Sequence, residues 1–356
     1  MAESPTERNT IATVEHSYAL ISPATKATTE FSAGLIDDLR PEVWGHSEND
    51  GDAADLRDYV FGCASGIETN LQSIAYHHAA HKGMRNAHDA DMVRYMKAHR
   101  VPYPKPRERR YDERAVEIRV HFDGIVQAIG STLDCLSAVI VGLSGMAIQV
   151  RKADLTSVVR PALDIGGPFP DSLERVLRKA PNEELAQIQE SAAGGLAGAL
   201  RSAGPDGWLD WTLGMRNMVV HRERRNQFVM FDGSPPRPRS VSPRNPHASN
   251  MSATRAAQSD FESFFISEDN LGIADGIVGS LRDSIVGSIE VLARTWNRRK
   301  ALGDLGTVPV AIQWKDAQTD PGFTGYAPGS VTFPKGSSLH MNPVDAERMR
   351  RAGLLR

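Results

Sequence analysis

The feature that most constrains this chain is the stretch Ala115 to Ile148, where Val116, Val120, Ile125, Ile129, Leu133, Leu136, Ile140 and Leu143 recur with helical spacing. Apolar side chains at that period line one side of an α-helix, and a stripe running about thirty residues must be covered by other helices. Asp112 and Glu113 precede the run and favour the positive end of a helix dipole. Gly124, Ala128, Gly130, Ser131 and Ser137 along it permit close approach of neighbours.

Further helical segments are available to provide that cover. Leu56, Tyr59, Val60, Cys63, Ile67, Leu71, Ile74 and Ala75 keep the same period, which predicts a helix ending near Lys82-Gly83, followed by a shorter one carrying Met92, Tyr95 and Met96. Helices are also expected from Asp171 to about Lys179, from Asn182 to about Leu200, through Trp208 to His221, and from about Asn270 to Arg299. The last carries Ile273, Ile277, Leu281, Ile285, Ile289 and Leu292, with Arg294, Arg298, Arg299 and Lys300 near its C-terminal end. The fold class is therefore mainly α, an up-and-down helical bundle with an additional N-terminal helical region and a short β-like C-terminal tail.

Punctuation along the chain suggests its organisation. Residues 1–52 are rich in Ser, Thr, Glu and Asp and read as a largely irregular N-terminal segment. Residues 53–110 form an N-terminal helical region and linker, the linker being the proline-marked basic stretch VPYPKPRERR at 101 to 110. The bundle spans 112–300, interrupted by a Pro, Ser and Arg rich insertion at about 232–260 that reads as an excursion loop. Residues 301–356 form a tail in which Val308, Val310, Ile312 and Trp314 alternate as in a hairpin strand.

Composition narrows the function classes. A chain of 356 residues, 40% hydrophobic and 24% charged, can bury a real core. Its formal net charge of -3 gives no bulk attraction to nucleic acid, so any such contact needs local basic patches. The two cysteines, Cys63 and Cys135, sit in apolar helical stretches and read as core thiols of a reducing compartment. No basic n-region opens the sequence and no uncharged apolar run approaches roughly 18 residues, so a cytoplasmic location without a membrane anchor is expected.

One hexapeptide carries chemistry: Arg216-Asn217-Met218-Val219-Val220-His221. Arginine is a permanent forked cation suited to phosphate, and histidine titrates near neutral pH. On a helical wheel Trp208, Trp211, Met215, Met218 and Val219 make the apolar side. Asn217 and His221, four apart, share roughly the opposite face, with Arg216 about 140° from His221. Two such helices meeting across a two-fold axis would bring paired arginines and histidines to one phosphate. Arg222, Arg224 and Arg225 directly after the motif could hold flanking phosphates of RNA, as could Arg237, Arg239 and Arg244.

Arginine, a polar residue, then histidine after four intervening residues, late in a helical bundle, resembles the HEPN superfamily. The stretch HFDGIVQAIGSTLDCLSAVI also resembles that family's first bundle helix, and the likeness covers about residues 112 to 300. The resemblance implies a homodimeric, metal-independent endoribonuclease of toxin-antitoxin or phage-defence type, with its motif at the protomer interface. Carried over by residue, Arg216 stabilises the phosphate, Asn217 is the polar position and His221 is the general acid/base. No cofactor and no metal is implied; RNA, a second copy, and an antitoxin or regulatory protein are the implied partners. The alternative is a non-catalytic helical module of the same shape that binds RNA, nucleotide or protein.

Other polar clusters carry weaker signals. His77, His78 and His81 in YHHAAH lack the third ligand and the intervening glutamate of a zinc helix. Arg85-Asn86-Ala87-His88 repeats the residue types of the hexapeptide, but its histidine comes two residues early, and it reads as a loop. Trp208 and Trp211 could stack on bases, yet their place on the apolar stripe favours packing. Ser137 and Ser144 have no nucleophile-elbow context.

Overall fold

A computed structural model describes residues 5–35, 41–44, 50–100, 109–159, 171–220, 228–232, 240–246, 265–302, 341 and 343–355. The described chain is mainly helical. The elements are α1 (Pro5–Gly34), α2 (Asp50–His99), α3 (Arg109–Ser144), α4 (Asp171–Leu177), α5 (Glu183–Ser202), α6 (Trp208–Val220), α7 (Asn270–Ala301) and α8 (Pro343–Ala352). Short 3-10 turns at Pro41–Trp44 and Val150–Lys152 and a π-helical turn at Leu155–Val159 join them. Three short strands, β1 (Phe228–Asp232), β2 (Ser240–Pro246) and β3 (Phe265–Asp269), form one antiparallel sheet in the order β1-β2-β3. Its register runs Phe228 to Arg244 and Asp232 to Ser240, and turns irregular between Arg244 and Pro246.

The chain divides into two compact units. The first comprises Met1–Phe31, Ser65–Cys135 and Gly194–Val291, and the second Ser32–Ala64, Leu136–Ala193 and Leu292–Arg356. Residues 101–108 and the strand-like tail 308–333 are outside the described residues.

The first unit is a helical bundle whose core is supplied by α1 (Ile21, Ala24), α2 (Ile67, Leu71, Ile74), α3 (Ile118, Phe122, Ile125, Ile129, Leu133), α6 (Leu209, Leu213, Met215) and α7 (Ile277, Leu281, Ile285). The second buries Trp44, Leu56, Val60, Leu136, Ile140, Leu143, Leu185, Ile188, Leu292 and Trp296, with Trp44 against Trp296 at 4.6 Å between ring centroids. Arg57 closes the last turn of α8 in that unit by donating Nε and Nη2 to the Ala352 carbonyl. Helix ends carry ordinary caps: Asn182 Oδ1 accepts from Leu185 N before α5, and Asp269 Oδ1 accepts from Gly272 N before α7.

Several expectations are corrected. The segment 1–52, read as largely irregular, contains the 30-residue α1, whose buried positions Ser17, Ile21, Ala24, Thr28 and Phe31 include hydroxyls that hide the stripe. The helix expected to stop at Lys82-Gly83 runs on to His99, where Arg100 turns left-handed at φ 56°. Its buried positions continue as His78, His81, Arg85 and His88, so the helical period persists while the apolar pattern does not. Arg85 to His88 is thus helix, not loop.

On α3 the outward Val116 and Val120 are about half exposed, and Ile118 and Phe122 replace them in the core. Two residues along a helix is a rotation of about 200°, so counting from Val116 selects the wrong side. Cys63 and Cys135 are thiols outside any disulfide and only partly buried, which corrects their reading as core thiols. Strand β2 lies inside the insertion read as an excursion loop, its prolines Pro243 and Pro246 disguising it. One helical stretch, Glu113–Ser144, is long and apolar enough by composition to cross a membrane, and 72% of its apolar stretch is buried in the protein.

Candidate functional site

Helix α6 begins after Gly207, whose φ of 77° makes the sharp turn that glycine tolerates best. Trp208 anchors it by donating Nε1 to the Leu200 carbonyl at 3.2 Å. Gly204 makes room for that indole, since a Cβ there would lie 2.8 Å from Trp208 Cδ1. Trp208, Met215 and Met218 are buried while Trp211 and Val219 are partly so, as the wheel requires. Trp208 is thereby packing, not a base-stacking platform.

This burial fixes where the motif residues go. Asn217 is exposed, and Arg216 is half-buried, crossing to α3. There Arg216 Nη2 donates to Asp134 Oδ2 at 2.8 Å, with side-chain exposures of 28% and 31%. Gly130, one turn before Asp134, lets the arginine lie flat: a Cβ at that position would stand 2.3 Å from Arg216 Nε. An arginine held by one corner of its fork keeps donors for a second acceptor. Asp134 was missed in the sequence, although a lone carboxylate inside the apolar run STLDCLSAVI is a signal that could have found it.

His221, Arg222, Arg224, Arg225, Arg237 and Arg239 lie outside the described residues. Of the six-residue motif the structure therefore positions Arg216 through Val220, and it adds Asp134. Arg244 stands in β2, its backbone paired with Phe228 and Asp269.

A second polar assembly in the same unit lies between α1, α2 and α7. His78, almost fully buried, contacts Ser17 Oγ through Nδ1 at 2.9 Å and Asp275 Oδ1 through Nε2 at 2.7 Å. A carboxylate only accepts, so Nε2 carries a proton, and the Ser17 hydroxyl is shared between His78 and the Thr13 carbonyl. Lys82 Nζ closes the group with bonds of 3.1 and 3.0 Å to the two Asp275 oxygens. Burial alone would raise the Asp275 carboxyl, but hydrogen bonds and charge from His78 and Lys82 overcome it and hold it at about 2. Ser17 has no exposed surface and His78 almost none, so the serine hydroxyl is closed to a substrate and the set is a tie between helices, with only Asp275 reaching the surface.

His77, His121 and His81 are separately engaged. His77 and His121 meet Nδ1 to Nδ1 at 3.0 Å, one donating and the other accepting, with the Tyr76 ring beside both. Partial burial and then the neighbouring His121 lower the His77 pKa. Gly124 accommodates the pair, because a Cβ there would fall 2.7 Å from the His77 ring. His81 donates Nδ1 to the Ile118 carbonyl at 3.1 Å, and its buried Nε2 has no acceptor to receive a second proton. Burial consequently pushes it down to about 4, against the backbone bond that raises it. Among the described residues no three His, Cys, Asp or Glu side chains converge as a metal would need.

No family model, curated protein or solved structure matches the chain. The class that the coordinates define is a mainly helical protein with helical-bundle units, one of which bears an ion-paired arginine and an exposed asparagine at the end of α6.

Proposed function

We propose that the chain is a metal-independent endoribonuclease of the HEPN type, acting as a homodimer in the cytoplasm in a toxin-antitoxin or phage-defence role. The observation that carries this reading is the seat of Arg216. A cation fixed by Asp134 and Gly130, next to the exposed Asn217, is a preorganised donor for a phosphate. In the proposed reaction the ribose 2′-hydroxyl attacks the adjacent phosphorus and the 5′-oxygen leaves, giving a cyclic phosphate and a free 5′-hydroxyl. His221 of one protomer takes the 2′-hydroxyl proton, and the partner's copy of the same histidine protonates the leaving oxygen. Arg216 balances the charge of the pentacovalent phosphorus, and Arg222, Arg224 and Arg225 hold flanking phosphates. RNA is required because DNA lacks the nucleophile.

A second reading, a non-catalytic module binding RNA, nucleotide or protein, is favoured by one specific observation: the Arg216 guanidinium already has a carboxylate partner. The two separate on a single assay. The full chain is incubated with RNA in chelator, product ends are analysed for cyclic phosphate, and light scattering reports the oligomer. The nuclease predicts cleavage that falls by about a hundredfold or more in His221→Ala with the dimer intact. Binding without product, or cleavage indifferent to both Arg216→Ala and His221→Ala, overturns it in favour of the module.

A further inference from the structure

The end of α3 in the second unit holds a buried cation whose two-donor edge meets no hydrogen-bond acceptor among the described residues. Gly145, at φ 66°, ends the helix, leaving its last carbonyls to be satisfied by side chains. Arg299 from α7 is fully buried and donates Nη1 to Gly142 O at 2.6 Å and Leu143 O at 2.7 Å. Gln189 from α5 donates Nε2 to Gly145 O at 2.9 Å and to Ser144 O at 3.4 Å. Of the basic residues near the C-terminal end of α7, Arg299 is the one that is fully buried.

Among the described residues the other two donors of Arg299, Nε and Nη2, have no acceptor, and neither does Nε1 of Trp296, one turn earlier on α7. Nε and Nη2 form the side of the guanidinium whose parallel N–H bonds match two oxygens of one anion. The protein uses that side elsewhere. Arg85 grips Asp89 with it at 2.9 and 2.5 Å, and Arg282 grips Asp283 at 2.7 and 2.8 Å. Lys300 Nζ, 5.8 Å over the Trp296 ring, adds positive charge nearby. Burial depresses Arg299 to about 9, and no carboxylate acts on it. Among the described residues it is the carbonyls of the helix end, with their partial negative charge, that face the guanidinium.

We propose that Arg299 and Trp296 form a binding site for a small oxyanion, a phosphate or a carboxylate, whose oxygens take the Nε, Nη2 and Nε1 hydrogens. Both arginine atoms are sealed from solvent, so the anion enters by local opening at the end of α7 and departs slowly. Binding is therefore read as stabilisation.

The test is thermal unfolding of the full chain, purified in chloride, across inorganic phosphate and acetate series at constant ionic strength. At a hundredfold the Kd, Tm rises by roughly 3–5 °C, and above the Kd it climbs with the logarithm of the anion concentration, unlike the linear rise of a general salting effect. Whichever anion shifts Tm identifies the source. Arg299→Lys keeps the charge but lacks the two-donor edge, and the shift disappears. Trp296→Phe keeps the ring and weakens binding by about tenfold, the loss of one hydrogen bond to a charged group. No shift that follows the logarithm of concentration with either anion, or an undiminished shift in Arg299→Lys, overturns the site. Should Arg299→Lys fail to fold, Trp296→Phe decides alone, unchanged affinity there counting against it.

Discussion

Two consecutive stretches of α2, both in the first unit, solve the same packing problem with different chemistry. Residues 67 to 75 bury Ile67, Leu71, Ile74 and Ala75, while residues 78 to 88 bury His78, His81, Arg85 and His88 before the apolar character returns at Met92 and Met96. Position on the helix, not polarity, decides which side chains face inward. The apolar stretch gains from water exclusion alone. The polar one must find partners, and it does: Asp275 and Ser17 for His78, the Ile118 carbonyl for His81, and Asp89 for Arg85. Burial raises the Asp89 carboxyl even though its Arg85 partner lowers it, which shows how closely the two effects are matched. The polar stretch is thus specific in geometry and sensitive to conditions to which the apolar one is indifferent.

The largest effect expected separates the two stretches by volume. Leu71 is fully buried, so Leu71→Ala removes methyl groups and leaves a cavity, destabilising the protein by about 2–5 kcal/mol at any pH. Urea unfolding at pH 7 and pH 5 should give the same difference from wild type. The polar stretch contributes the pH dependence. His81 and His88 both have folded pKa values pushed down to about 4 by burial, below the unfolded value of 6.5. Between those values the unfolded chain binds more protons, so this stability is full above pH 6.5 and drains away as the pH falls toward 4. For His81 the change is on the order of 3 kcal/mol. His81→Leu should flatten the stability profile between pH 6.5 and 4 relative to wild type; an unaltered slope would mean the histidine is not the source.

How much of this could be read from the residues follows the same division. Helices whose buried side is apolar, such as α7 with Ile273 to Leu292, were legible with their approximate ends. Those whose buried side is polar were not. The second half of α2 reads as a stop and a loop because histidine and arginine break the hydrophobic period that locates a helix, and α1 reads as irregular because Ser17 and Thr28 stand at inward positions. The motif on α6 was legible as residue types and as faces, since Trp208, Met215 and Met218 fix the inward side. Its partner Asp134, eighty-two positions away, was not, because an ion pair between helices leaves no periodic trace in either one. The cap that Arg299 gives α3 was hidden for the same reason, 157 positions from the Gly142 carbonyl it serves.

The smallest effect tests whether the polar stretch works as a connected group or as separate contacts. Ser17 Oγ stands 2.9 Å from His78 Nδ1 and 3.0 Å from the Thr13 carbonyl, fully buried between α1 and α2. Ser17→Ala leaves the ring nitrogen without its partner and deletes little volume, so a loss of about 1–2 kcal/mol is expected from the unsatisfied buried group. Asp275 also holds Lys82, so the Ser17 loss should be reduced when Asp275→Asn has already released the far side of the ring. A double-mutant cycle by urea unfolding measures this directly. Coupling above about 0.5 kcal/mol means that the serine, histidine and aspartate act as one tie across three helices. Strict additivity would reduce the polar half of α2 to independent hydrogen bonds, and its contrast with the apolar half would then be one of chemistry alone.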